Sequence, residues 1–319
     1  MGAKVIGFDK NPNFASTLAG TADIQFDRLI LGNVVDQGAL SDCFDRHRPE
    51  IVFHMAAQAL VRQSYLRPAD TFLENVQGTV NVLEAIRTSN CVRSGIFITS
   101  DKVYRNIDDS RAFREDDPLG GDDPYSASKA ASDIAVQSYV KSYFGHSTSP
   151  QVRIARAGNV IGGGDASLDR LLPDAVRAFN ANEQLVIRSP GATRPWQHVL
   201  DSLSGYLLFA EAAHQASVDD MALNFGPHSD DCISVSQLLE MFSENWGHRQ
   251  NRYLVKKADH LKEAQHLNLN NERSQQVLGW SPTWRVADAV RYTAGWYKQH
   301  SLGTHAAQLM ESDIDAYLK

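Results

Sequence analysis

Cysteine is scarce in this 319-residue chain. Cys43, Cys91 and Cys232 stand far apart, without the paired spacing of a zinc knuckle or the even count of a disulfide framework, so reduced thiols are expected. Long apolar runs are lacking too, and no segment is expected to span a bilayer. The first residues lack the charged-then-apolar order of a secretory signal. An excess of positive charge is also lacking. The net charge of −7 gives no electrostatic reason to expect nucleic acid or an anionic membrane as partner. His54 and His198 have no carboxylate or second histidine at metal-ligand spacing, so no metal site is expected. These absences leave the cytoplasm as the expected location.

What is present is an ordinary globular composition, 43% apolar and 22% charged, in a chain long enough for one large or two modest domains. Short β-rich runs alternate with segments of helical period. Val5–Phe8, "IVFHMAA" (51–57) and "SGIFITS" (94–100) read as strands. Between the last two, Phe72, Val76, Val80, Leu83 and Ile86 follow helical spacing. "DPYSASKAASDIAVQSYVKSYF" is a further helix with Pro124 near its start, and "QVRIARAGNVIGGG" reads as strand then loop. This alternation predicts an α/β fold with a doubly wound parallel sheet, whose ligands sit beyond the carboxyl ends of the strands. From about Gly162 the rhythm loosens. Short strands such as "LVIR" (185–188) and "ALNFGP" (222–227) suggest a smaller α/β region folding over the strand ends. Gly162–Gly164 reads as a flexible crossover between the two regions, and His248–Arg252 as a solvated charged stretch. Trp280 and Trp284 are expected to pack the C-terminal region, and the tail after Gly303 has a helical pattern.

Two clusters carry chemistry. Tyr125 and Lys129 lie four residues apart, on one face of the predicted helix. A nearby ammonium favours a phenolate, so Lys129 is expected to lower the pKa of Tyr125 and let it take a proton from a sugar hydroxyl. Ser100, Asp101 and Lys102 follow a predicted strand, where a substrate would lie. Asp101 serves as a proton donor if burial keeps it protonated, and Lys102 as a base if it is kept neutral.

"HMAAQALV", "NVQGTVNVLEA", "TSDKVY", "DPYSASK", "GNVIGGGD", "RPWQHVLD" and "LGWSPTW", in this order, resemble the extended short-chain dehydrogenase/reductase family over nearly the whole chain. Asp101-Lys102 resembles the branch that dehydrates CDP-glucose, where relatives acting on dTDP- and GDP-sugars carry Asp-Glu and epimerases lack the pair. The resemblance implies a Rossmann-like fold, NAD as cofactor, a nucleotide-sugar substrate and a homodimer paired through the segments 72–87 and 127–144. Its nucleotide-binding part would be residues 1–162 with about 197–226, and its sugar-nucleotide region about 163–196 with 227–319. Tyr125 would take the C4 hydroxyl proton, with Ser100 orienting that hydroxyl and Lys129 also holding the nicotinamide ribose. Lys102 would remove the C5 proton, and Asp101 would protonate the departing C6 hydroxyl. Asp9 would meet the adenosine ribose, with Asn33 and Val34 at the adenine and Ala56 and Ala57 against the cofactor. Gln58 and Asn75 would lie beside the same cleft, and Asn159 and Arg194 at the substrate diphosphate, which a guanidinium suits.

Two features depart from the family pattern. Asn33 stands where an acid is usual, so an altered adenine contact is expected. "MGAKVIGFDK" reads as the second strand of a dinucleotide-binding unit, with Asp9 at its end. The expectation is a sheet whose first strand and glycine-rich turn are missing, giving weak NAD binding and slow turnover. The competing readings are a dehydratase or epimerase of another nucleotide sugar, and a non-catalytic remnant that still dimerises.

Overall fold

A computed structural model of the chain describes residues 2–10, 17–24, 26–144, 149–247, 253–256 and 264–319. The stretch 248–252, expected to be solvated and charged, lies outside the described residues. The chain begins with β1 (Ile6–Asp9), α1 (Leu18–Thr21), β2 (Arg28–Leu31), α2 (Gln37–His47) and β3 (Ile51–His54). It continues with α3 (Val61–Leu66), α4 (Pro68–Phe72), a π-helical turn (Leu73–Gln77), α5 (Gly78–Thr88), β4 (Ser94–Ile98), α6 (Pro124–Tyr143) and β5 (Gln151–Ala157). Next come β6 (Asn159–Ile161), α7 (Leu171–Asn180), β7 (Leu185–Ile187), β8 (Thr193–Arg194), β9 (Trp196–His198), α8 (Val199–His214) and β10 (Ala222–Phe225). The last are β11 (Ile233–Ser234), α9 (Val235–Trp246), β12 (Tyr253–Val255), α10 (Glu272–Leu278), α11 (Val286–Ser301) and α12 (Ala306–Tyr317).

Four strands pair in parallel in the order β10-β5-β4-β3, and β1 and β2 form a separate parallel pair. All five residues of β4 are buried or nearly so, as a strand covered on both faces requires. On one face, α2, α5 and α6 bring Leu40, Phe44, Leu83, Ile86 and Val136 onto Phe97 and Ile154. On the other, Phe209 and Ala213 of α8 pack on Ile96 and Ala155. Burying a side chain such as Phe97 contributes about 1.5–3 kcal/mol. The short strand at "ALNFGP" is β10. It extends the main sheet beside β5 rather than the second region, pairing in parallel with Ile154–Ala157, and all four of its residues are buried.

A second apolar core gathers α7, α9 and α11, with Phe179, Leu238, Phe242, Val290 and Trp296. The crossover Gly162–Gly164 packs against it. A Cβ on Gly163 would lie 2.1 Å from the Trp296 ring, and Gly164 has φ +85. That close approach, rather than flexibility, accounts for the glycines. Trp284 stacks on Tyr292 at 4.0 Å between ring centres, as expected of the C-terminal region, whereas Trp280 packs instead into the main-sheet core under α8.

The helical stripe after β3 differs from expectation at its start. The π turn inserts extra arc, so Phe72 is 39% exposed while Thr71 and Asn75 are buried. Pro124 occupies the first turn of α6 and Asp123 caps it, accepting from the Tyr125 and Ser126 amides.

Candidate active site

The chemistry-bearing residues collect beyond the carboxyl ends of β4 and β5. Ser100 ends the turn after β4, its hydroxyl accepting from the Lys102 amide at 3.2 Å and donating to Asp101 Oδ1 at 2.9 Å. This fixes Asp101 and Lys102 in a single 3₁₀ turn. Ser100, Asp101, Lys102, Tyr125, Asn159 and Arg194 all line one cleft of about 400 Å³.

Asp101 is 3% exposed, and its Oδ2 has no hydrogen-bond partner. Burial raises its pKa against the opposing charges of Lys102 and Arg194. A buried carboxyl held toward its neutral form is a proton donor. Lys102 Nζ stands 5.9 Å from the centre of the Tyr125 ring, so acid, base and phenol are neighbours.

The expected lowering of the Tyr125 pKa is not what the geometry gives. Burial pushes the phenol up, opposed by a hydrogen bond with Ser100. The reason is that the Lys129 ammonium turns to the Ile98 carbonyl, at 3.2 Å, instead of the phenol. Burial in turn lowers Lys129 to about 8, against the pull of Asp133 one helical turn on.

Asp9, Asn33, Val34, Ala56 and Ala57 line a second cleft, of about 520 Å³, between β1 and β3. The residues expected at the cofactor therefore divide: these five share the second cleft, Tyr125 faces the first, and Lys129 lines neither. Asn33 Oδ1 accepts from the Val35 amide at 3.1 Å, which shapes its loop. Gln58 and Asn75 line neither cleft. Asn75 Oδ1 accepts from the Gln58 amide at 2.7 Å, and its Nδ2 donates to the Gln58 carbonyl and to Ser128 Oγ. Gln58 Nε2 donates to Thr71 Oγ1. Both side chains brace the loop after β3 against α6.

Three arginines in the first cleft were not singled out from the sequence: Arg62, Arg170 and Arg188. They come from separate segments, so no spacing links them. A second omission is a buried network behind the site. The Arg156 guanidinium donates twice to Asp133, at 2.8 Å each, and also to the Tyr104 hydroxyl and the Glu115 carbonyl. Two arginines inside the apolar run "QVRIARA" were the available signal.

His54 and His198 are structural. His54 is buried with Nε2 3.1 Å from Thr79 Oγ1, and burial lowers its pKa to about 3. His198 caps α8, and burial lowers it to about 4. Among the described residues no group of three His, Cys, Asp or Glu is arranged to hold a metal, and no helix is long and apolar enough to cross a membrane. Both histidines stay neutral in the fold but gain a proton below about 6.5 when unfolded. The unfolded chain then binds more protons, so stability falls as pH drops from about 6.5 toward the folded values. Urea midpoints measured from pH 7 to pH 5 should fall less steeply for His54→Gln than for the parent chain. Equal slopes would contradict this.

A doubly wound parallel sheet with Ser100, Tyr125 and Lys129 grouped beyond its strand ends defines a dinucleotide-dependent α/β enzyme. The chain belongs to the NAD dependent epimerase/dehydratase family, whose model matches residues 1–224. It is 36% identical over 293 residues to CDP-glucose 4,6-dehydratase of Salmonella typhimurium, covering 90% of this chain and 81% of that protein. It is 27% identical to dTDP-glucose 4,6-dehydratase of Streptomyces griseus, covering 78% of this chain and 72% of that one. Among solved structures, the fold resembles dTDP-glucose 4,6-dehydratase of Streptomyces venezuelae with NAD and TYD bound. The TM-score is 0.80 at 24% identity, over 93% of this chain and 88% of that one. UDP-glucose 4-epimerase of Thermotoga maritima also matches at TM-score 0.80 and 20% identity, over 94% of this chain and 92% of that one.

Proposed function

We propose that the chain is a NAD-dependent hydro-lyase that converts CDP-glucose to CDP-4-keto-6-deoxyglucose and water. The observation that carries this reading is Asp101-Lys102. A buried carboxyl, pushed toward its neutral form, adjoins an amine in the same cleft as Ser100 and Tyr125. A dehydratase needs such a pair and an epimerase does not. The similarity to the Salmonella enzyme supports CDP-glucose as the substrate.

NAD fits the second cleft, where Asp9 ends β1 and the small Ala56 and Ala57 let a planar ring approach the backbone. When bound, NAD would supply a hydride acceptor for C4 and, once reduced, a hydride donor for C6. The chain's own residues do the rest. Tyr125 takes the C4 hydroxyl proton while Ser100 orients that hydroxyl. Lys129, charged below about pH 8, would hold the nicotinamide ribose and favour the phenolate. Lys102 removes the C5 proton made acidic by the 4-ketone, and Asp101 gives its proton to the leaving C6 hydroxyl. Asn159 and Arg194 hold the diphosphate, with Arg170 and Arg188 on the same cleft wall.

The separate apolar cores support a nucleotide-binding part at 1–162 with 197–226 and a sugar-nucleotide part at 163–196 with 227–319. Exposed Phe72, Leu73, Ile134 and Tyr143 lie on α4, the π turn and α6, and support a homodimer paired through these helices. Incubation with NAD+ and each of CDP-, dTDP- and UDP-glucose tests the function, with loss of one water read by mass spectrometry. CDP-glucose should lead in kcat/KM by about tenfold or more, or about 1.4 kcal/mol. Faster turnover of dTDP-glucose would reassign the substrate, and no turnover despite NAD binding would favour the remnant.

A further inference from the structure

In the dehydration proposed above, on which this inference rests, each turnover leaves two groups in the wrong protonation state. Tyr125 takes the C4 hydroxyl proton, and the 4-keto product never takes it back. Asp101 gives its proton to the C6 oxygen, and that proton departs in the water. Lys102 takes the C5 proton and returns one to C5 at the end. The hydride that leaves C4 returns at C6, so no electrons are gained or lost. The nucleotide sugar therefore becomes product and water with no net proton released or taken up. The cleft is nevertheless left with a phenol where it began with a phenolate, and a carboxylate where it began with a carboxyl. The next turnover waits until a proton has passed from Tyr125 to Asp101.

These two groups share a neighbour. Ser100 Oγ donates to Asp101 Oδ1 at 2.9 Å and hydrogen-bonds with Tyr125. A serine hydroxyl can accept one proton while it donates another, as a relay requires. Its hydrogen is already directed at the carboxyl that needs one. Ser100, Asp101 and Tyr125 are 7%, 3% and 9% exposed, so bulk water has little access to any of them. The other polar groups nearby are otherwise engaged. Lys129 donates to the Ile98 carbonyl, and Lys102 serves C5. Arg194, which also faces Asp101, keeps its protons at any working pH and cannot pass one on.

We propose that Ser100 is the proton relay that resets the cleft between turnovers. Tyr125 gives its phenolic proton to Ser100 Oγ as Ser100 gives its own hydrogen to Asp101 Oδ1. Two O–H bonds break and two form. The phenolate and the neutral carboxyl are restored, and the serine ends as it began. A half-turn of the carboxyl about its Cβ–Cγ bond then carries the new proton to the Oδ2 position. That torsion is broad and two-fold in aspartate, and Oδ2 has no hydrogen bond to hold it back. The Lys129 ammonium favours the phenolate and so favours the transfer. Ser100 thus acts twice, orienting the C4 hydroxyl in the first step and sending on its proton after the last.

The test compares the parent chain with Ser100→Ala and Ser100→Thr, each supplied with NAD+ and the nucleotide glucose that the parent dehydrates. Rapid quenching and mass spectrometry follow product from the first turnover onward, at fixed pH and ionic strength, over a range of imidazole concentrations. Ser100→Ala should form one product per site and then slow by about 10²-fold or more, and the slow rate should rise with imidazole, which carries the proton in place of the serine. The parent and Ser100→Thr, which keep the hydroxyl, should show neither the burst nor the response to imidazole. First and later turnovers equally slow in Ser100→Ala, with no response to imidazole, would mean that Ser100 only orients the substrate and would overturn the relay. Imidazole dependence in the parent, or alanine-like behaviour of Ser100→Thr, would overturn it as well. Each of these results leaves the dehydratase reading standing. A parent that removes no water from any nucleotide glucose overturns that reading, and the relay with it.

Discussion

Asp101→Asn lowers the rate of water loss from the nucleotide sugar by about 10²–10⁴-fold, the range that one general acid supplies. Asparagine keeps the shape and can still accept from Ser100 Oγ, as Asp101 Oδ1 does at 2.9 Å, but it has no acidic proton. The C6 hydroxyl then has to leave unprotonated. Lys102 is untouched, so exchange of the C5 hydrogen with deuterated water continues while dehydration stalls. Exchange and dehydration falling together would mean that Asp101 shapes the cleft rather than donating the proton. The pH profile gives an independent check. Burial raises the Asp101 pKa, so the fall in activity as its proton is lost with rising pH sets in above the range of an ordinary carboxylate.

The largest expected loss of stability comes from behind the site. Asp133 and Arg156 are 0% and 1% exposed, and the pair is bidentate. Asp133→Ala leaves a guanidinium buried without its anion, at a cost of about 3–5 kcal/mol. Thr99 Oγ1 loses its acceptor as well. Urea denaturation measures the change, and a loss under about 1 kcal/mol would show that water or a rearranged Glu115 replaces the carboxylate. The double replacement of Asp133 by Leu and Arg156 by Met should recover much of the loss, because no charge is stranded. The pair joins α6, which carries Tyr125 and Lys129, to β5 and to Tyr104 just after Asp101-Lys102. Its loss should loosen the two halves of the cleft relative to each other.

Much of this was legible in the sequence because local signals agreed with the fold. Apolar runs ending in small or polar residues marked β3, β4 and β5, and Asp123-Pro124 marked the start of α6. Position after a strand brought Ser100, Asp101 and Lys102 to Tyr125. What escaped depends on tertiary context. The direction of the Tyr125 pKa turns on where the Lys129 ammonium bonds, which spacing cannot tell. Asn75 and Gln58 satisfy each other, although each read as a group facing a ligand. Arg62 of α3 and Arg170 and Arg188 from two loops converge along paths that no periodicity fixes. Phe72 turns outward because the stretch Leu73–Gln77 does not obey the 3.6-residue count that would bury it.

That stretch has a consequence for how the helix could have changed over time. α4, the π turn and α5 form one rod with a phase slip of a single residue at Leu73–Gln77. Removing one codon there would restore an ordinary helix and rotate everything before it by about 100° relative to everything after. Phe72 would swing away from the outer surface, and Asn75 could no longer meet both Gln58 and Ser128. A one-residue gap in this segment is therefore a change of wiring rather than a change of loop length.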